Sequence, residues 1–154
     1  MNDIQSIQAD LTNAARSVFA DMAFLDVAEP NDEAVKPDLH GPWASIQVNG
    51  SIRGLIVILM PLELKKALIE AIYAQPWEDL PVNQKDDGLL EVLNVLAGYY
   101  VSSQERKNGF LKLSIPSIVF DRDDLPAREP EVDFYLDAQG ALFQLMFFST
   151  EAKE

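Results

Sequence analysis

The sequence predicts an α+β fold with helices packed on one antiparallel β-sheet. Three observations predict it. Apolar residues recur at helical spacing in three separate segments. Two pairs of strand-like runs are each joined by a short turn signal. Helices and strands come in groups (helix, two strands, two helices, three strands), without the strict β–α alternation of a parallel sheet.

Residues 3–24 form the first predicted helix, with Ile4, Ile7, Leu11, Ala14, Ala15, Val18 and Met22 on one face. Asp26 to Pro42 follows as a loop, because Pro30, Pro37 and Pro42 exclude a regular element; it is free to wrap the surface. Ala44–Val48 alternates as a strand and Leu55–Met60 is a continuous apolar run. Asn49-Gly50-Ser51 lies between them, and Asn-Gly tolerates the positive φ angles of a tight hairpin, so these strands are paired antiparallel. Pro61 suits the first turn of a helix over Leu62–Ala74, whose stripe is Leu64, Leu68, Ala71 and Ile72. Gln75-Pro76-Trp77 and Pro81 break it. A longer helix spans Asp86–Arg106, closed by Asn108-Gly109. Phe110–Phe120 reads as one strand with Pro116 at a kink or edge position. After the acidic, turn-rich Asp121–Pro130, Val132–Leu136 and Ala141–Phe148 pair across Asp137-Ala-Gln-Gly140.

Composition narrows the function classes. The 154 residues are read as a single domain, 1–154, large enough to build its own core. With no cysteine, a disulfide framework, a thiolate metal site and a cysteine nucleophile are excluded, which is compatible with a reducing compartment. The polar start MNDIQSIQAD lacks the charge-then-apolar pattern of a secretory signal, and the longest apolar run, Leu55–Leu62, falls far short of the ~20 residues of a membrane span. A cytoplasmic location is expected. The net charge of −13 repels phosphate backbones and anionic lipid, so neither nucleic acid nor membrane is expected as a partner. It suits a partner face carrying lysine or arginine, although solubility alone also accounts for it.

The informative segment is Asp87-Gly-Leu-Leu-Glu91-Val-Leu-Asn94-Val-Leu-Ala-Gly98. At ~100° per residue, Asp87, Glu91, Asn94 and Gly98 fall within about 60° of one another. Leu89, Leu93, Leu96, Ala97 and Tyr100 occupy the opposite, core-directed face. A polar helix stripe is usually no more than a solvated face. Asparagine and glycine in mid-helix are nonetheless poor choices for mere solvation, glycine costing ~1 kcal/mol against alanine. Gly98 also leaves room for another surface to approach Asn94.

The pattern Asp87-x-x-x-Glu91-x-x-Asn94, then Gly98 and later Pro116, resembles the signature of the CheC/CheX chemotaxis-phosphatase family. Val18–Val27 is similar to the end of that family's first helix, Gly54-Leu-Ile-Val57 to its second strand, and Ile115-Pro-Ser-Ile-Val119 to the strand after its active helix. One full copy of the motif is present, as in the CheX branch. Asp10-Leu-Thr-Asn13 echoes a second copy without its glycine and is not counted, and the bulky Tyr99-Tyr100 departs from the pattern. The resemblance implies a phosphatase acting on the aspartyl phosphate of a CheY-type response regulator. In it Asn94 would orient the attacking water, Glu91 would pair with the receiver's lysine, and Asp87 and Gly98 would serve docking. It implies no metal or cofactor of the chain's own, the Mg²⁺ belonging to the partner receiver, and a homodimer joined at sheet edges. A rival reading keeps the fold without catalysis, as an interaction module for a receiver, a flagellar-switch component or a second copy.

Other features are weaker. His40, the single histidine, sits in the proline loop, which argues against a serine triad or a histidine metal site. Asp121-Arg-Asp123-Asp124 lacks the spacing and glycine of a calcium loop. Trp43 and Trp77, at element edges, are read as packing. The opening helix and the two hairpins exclude a receiver fold for the chain itself.

Overall fold

The computed structural model describes residues 3–150. Helix α1 (Asp3–Ala23) is followed by a short strand β1 (Val27–Ala28), then β2 (Trp43–Gly50) and β3 (Gly54–Leu59). Helices α2 (Leu62–Tyr73) and α3 (Val82–Asn108) come next, then β4 (Leu111–Leu113), β5 (Ser117–Val119), β6 (Val132–Ala138) and β7 (Ala141–Ser149). Every strand pairing is antiparallel, in the order β1-β6-β7-β3-β2-β4, with β5 also on β2. The three helices share one face of this sheet, which is the predicted α+β arrangement.

The core lies between helices and sheet. Inward residues of β6 and β7 (Phe134, Leu136, Phe143, Leu145, Phe147) meet Leu11, Val18 and Phe19 of α1 and Leu93, Leu96 and Tyr100 of α3. Phe19, outside the predicted α1 stripe, is fully buried and stacks on Phe143 with ring centroids 4.8 Å apart, whereas the predicted Ile4 is exposed. In α2, Ile69 is buried beside Leu64 and Leu68, while Ala71 and Ile72 are half-buried. Tyr100 lies tilted on Phe147 at 6.1 Å, its hydroxyl buried with no hydrogen-bond partner. Burial first, and then the Asp10 charge, push that phenol's pKa up. An orphaned buried hydroxyl costs about 1–3 kcal/mol. Tyr100→Phe is therefore expected to melt at or above the wild-type temperature; a loss of several degrees would mean that the hydroxyl is bonded in solution.

Five local expectations are corrected. Asn49 and Gly50 are not the hairpin turn. They extend β2 and pair with Lys112 and Leu111, and residues 51–53 make the turn. Gly50 has φ +152°, and a Cβ there would stand 2.6 Å from Leu111 and 2.9 Å from the Phe110 carbonyl, so glycine is used for close approach of β4. Phe110–Phe120 is two strands rather than one. Ser45 pairs with Ser117 and Val48 with Leu113, so three steps on β2 face four on the partner, a bulge around Pro116, which has no N–H to donate. Ser114 bridges the gap: its N–H donates to the Gln47 carbonyl and its hydroxyl accepts from the Gln47 N–H. The last helix starts at Val82, capped by Pro81, because its polar first turn shows no apolar period to read; Pro61 likewise caps α2 from outside. The proline loop contains a two-residue strand after all, Val27–Ala28 on Ala138 and Asp137. The second hairpin is tight, with Gln139 and Gly140 both at positive φ.

The outer face of the sheet is covered by irregular chain. Leu125 packs on Val57, Met146 and Phe148 there, and the Arg128 guanidinium sits 5.9 Å from the Phe148 ring while donating to the Ser149 carbonyl. The proline loop also reaches this face, where Lys36 lies 5.4 Å from the Tyr135 ring. Among the described residues no helix is long and apolar enough to cross a membrane.

Candidate functional site

Helix α3 places the predicted residues as the wheel requires. Leu89, Val92, Leu93, Leu96, Ala97 and Tyr100 are buried and fix its rotation about its own axis. Asp87, Glu91 and Asn94 are exposed on the other side, and Gly98 is half-buried. Glu91 and Asn94 are one turn apart, about 4.5 Å along the axis. A Cβ built on Gly98 meets no atom within 4 Å, so the surface after Asn94 is open. The four residues thus stand together as one accessible ridge.

The neighbours of this ridge were only partly legible. Gly88, next to Asp87, faces α2: a Cβ there would lie 2.5 Å from Ile69 Cδ1 and 3.1 Å from Tyr73. It lets α2 lie against the first turns of α3, and the Lys65–Asp86 ion pair at 3.0 Å ties the same contact. The signal available was a glycine in a helix interior, a costly choice without a packing reason. The Tyr99-Tyr100 pair divides. Tyr100 belongs to the core, whereas Tyr99 is on the surface and donates its hydroxyl to the Asp21 carboxylate of α1 at 2.6 Å. That hydrogen bond, then the carboxylate's charge, raise the Tyr99 pKa. Asp10, in the incomplete echo of the motif, accepts a hydrogen bond from Gln104 of α3 and so is engaged between the helices.

Pro116 lies in the bulge against β2 and shapes that edge. His40 is exposed and 3.3 Å from Asp38, and Asp121 accepts the Asp123 N–H to cap a short turn. Trp77 is held as packing, with Lys85 4.5 Å from its ring and its backbone N–H donating to the Glu70 carboxylate. Among the described residues no group of three or more histidine, aspartate and glutamate side chains is placed to hold a metal ion. A cavity of about 440 Å³ opens between α1 and β6, lined by Gln8, Thr12, Asn13 and Arg16, and the ridge residues take no part in it.

An exposed carboxylate and carboxamide one turn apart can bond a partner's cation and orient a water, but cannot enclose a small substrate. Helices packed on one antiparallel sheet are the fold of the CheX- and CheC-like class of chemotaxis proteins, as solved structures show. The CheX of Desulfovibrio desulfuricans superposes with a TM-score of 0.73 at 14% identity, over 94% of this chain and 99% of that one. The CheX of Vibrio vulnificus gives 0.70 at 18% identity, over 96% and 99%. A chain of the CheX–CheY–BeF3–Mg²⁺ complex from Borrelia burgdorferi gives 0.68 at 19% identity, over 94% and 97%. At such identities these are likenesses of fold. The chain itself belongs to the CheX family: the model of that family, described as chemotaxis phosphatase CheX, matches residues 43–135, which include the whole ridge. Among curated proteins none matches the chain in sequence.

Proposed function

We propose that this protein is a phosphatase for the aspartyl phosphate of a CheY-type response regulator, with the α3 ridge as its working surface. The observation that carries the reading is the joint exposure of Glu91 and Asn94 beside the open space at Gly98. The family membership and the fold shared with a CheX from a CheX–CheY complex support the receiver as partner. It would act in the cytoplasm.

An aspartyl phosphate is a mixed anhydride. Water attacks phosphorus, the bond from phosphorus to the aspartyl oxygen breaks, and inorganic phosphate and a free carboxylate leave. Positioning and charge stabilisation do most of the work in such a transfer. The Asn94 carboxamide has one acceptor and two donor hydrogens on a rigid plane, so it can enter the receiver's site and hold the water in line. It is too weakly basic to take the proton, and its contribution is orientation. Glu91 pairs with the receiver's lysine and sets the depth of Asn94. Asp87 extends the acidic docking stripe, and Gly98 admits the partner's surface. The Mg²⁺ at the phosphoryl group is held by the receiver.

The homodimer belongs to the same proposal. The β4–β5 edge carries three exposed large apolar residues, Phe110, Ile115 and Phe120, at 80%, 87% and 74% exposure. An apolar sheet edge is a template for pairing with a second copy.

The test is decay of a phosphorylated CheY-type receiver at substoichiometric amounts of this protein. Acceleration is expected, and Glu91→Lys should raise KM about tenfold or more, because it sets a cation against the receiver's lysine. Stoichiometric binding without turnover would instead establish the non-catalytic module.

A further inference from the structure

The cavity between α1 and β6 is apart from the ridge, and its lining has a chemistry of its own. One wall is a stripe of α1 that includes Gln8, Thr12, Asn13 and Arg16, residues three to four apart on a single helix face. The other wall is Glu29 and Pro30, just past β1, and the floor is Phe134, Tyr135 and Leu136 of β6. Its volume of about 440 Å³ falls within the range of small-molecule sites, ~300–1,000 Å³.

Two charged residues line it, of opposite sign. Arg16 donates through Nε to the Val27 carbonyl at 3.2 Å, which leaves the N–H groups of its two terminal nitrogens for other acceptors. Glu29 follows two residues after Val27, so both charges gather at the β1 end of the cavity. Among the described residues no ion pair joins them to each other or to a third side chain. An unpaired cation and an unpaired anion on facing walls match a ligand that carries both charges itself. A ligand with a net negative charge would be repelled by the −13 of the chain, whereas a zwitterion is not. Away from the charged end the wall turns to neutral amides. Asn13 is about 4.5 Å and Gln8 about 12 Å from Arg16 along the helix axis. The Thr12 hydroxyl is already donated to the Gln8 carbonyl at 2.8 Å, so the two carboxamides carry the polar chemistry there.

We propose that this cavity binds a free α-amino acid with a carboxamide side chain, of the size of glutamine. The α-carboxylate takes the two terminal nitrogens of Arg16, in the fork geometry that suits a carboxylate. The α-ammonium meets Glu29. The side chain runs along α1 to Asn13, where two carboxamides can each donate and accept. No ridge residue lines the cavity, so the site stands or falls independently of the receiver reading.

The test is calorimetric titration of the full chain with L-glutamine, N-acetyl-L-glutamine, which has lost the ammonium, and L-leucine, which has lost the carboxamide. Glutamine is expected to bind with a dissociation constant on the order of 1 mM, since the site is open on one side. N-acetylglutamine should bind about tenfold more weakly, the loss of one charge-assisted bond, and leucine several-fold more weakly. Glu29 is exposed, so Glu29→Gln should melt as wild type does. It should weaken glutamine about tenfold and bring it level with N-acetylglutamine. Asn13→Ala should bring glutamine level with leucine. Arg16→Ala should abolish binding of all three; because it also removes the bond to Val27, the Glu29 and Asn13 variants carry the decision if it melts early. No saturable binding of glutamine by wild type would overturn the proposal. Equal binding of glutamine and N-acetylglutamine by wild type, or undiminished glutamine binding in Glu29→Gln, would overturn it too.

Discussion

Asn94→Ala is expected to abolish the acceleration of phosphate release from a phosphorylated receiver while leaving fold and docking in place. Asn94 is exposed, on the side of α3 opposite the buried Leu89, Leu93 and Leu96, so truncation opens no cavity. Alanine is also the better helix former by roughly 0.5 kcal/mol, so the melting temperature should stay level or rise slightly. Glu91 remains for the proposed pairing with the receiver. What disappears is the planar carboxamide proposed to hold the water, and a misplaced nucleophile costs on the order of 100-fold in rate. Asn94→Asp keeps the shape but loses both donor hydrogens and sets a negative charge beside the phosphoryl oxygens; it should fail as well. Stopped-flow or radiolabel decay of the phospho-receiver reads both variants. An alanine variant with wild-type turnover would remove Asn94 from the mechanism.

Gly54→Ala is expected to produce the largest loss of stability from a single added methyl group. Gly54 pairs with Ser149, two residues along β7 from Phe147, and the Phe147 ring lies diagonally across it. A Cβ at Gly54 would stand 2.2 Å from the ring's Cζ and 2.6 Å from Cε1. Rings laid over sheet glycines in this way fill the space that a side chain would otherwise occupy. Phe147 is fully buried under Tyr100 of α3, so the ring cannot move without moving that helix. Overpacking of this kind costs about 3 kcal/mol, and at about 2–4 °C per kcal/mol the melting temperature should fall by roughly 6–12 °C. Phe147→Leu, which frees space, should cost less in the Gly54→Ala background than in wild type, a coupling that a double-mutant cycle reads directly. Melting within about a degree of wild type would mean that the ring has an alternative position.

The exposed polar ridge of α3 was legible because helical periodicity is a local property. Once the leucines and Tyr100 are set inward, the rotation of α3 is determined, and Asp87, Glu91, Asn94 and Gly98 have to emerge together. Hydrophobic spacing and prolines likewise placed three helices and the longer strands, with errors of a few residues where a first turn, as at Val82, is polar.

Properties that depend on distant partners were out of reach of such reading. Asn49-Gly50 has the local chemistry of a tight turn, yet the approach of Leu111 draws it into β2 and displaces the turn to residues 51–53. The division of β4 from β5 depends on Gln47, far away in sequence, accepting and donating at Ser114. Tyr99 and Tyr100 are adjacent and chemically alike, and packing alone sends one to Asp21 and the other into the core. Gly54, Gly88 and Gly98 look equivalent as letters, but one lies under a ring, one admits a helix and one faces open space. By itself the sequence determined which residues form each helix face and which turn chemistry is available. The tertiary structure decided strand order, register and what stands beside each face, because those are set by contacts between residues far apart in the chain, and such contacts leave no period to read.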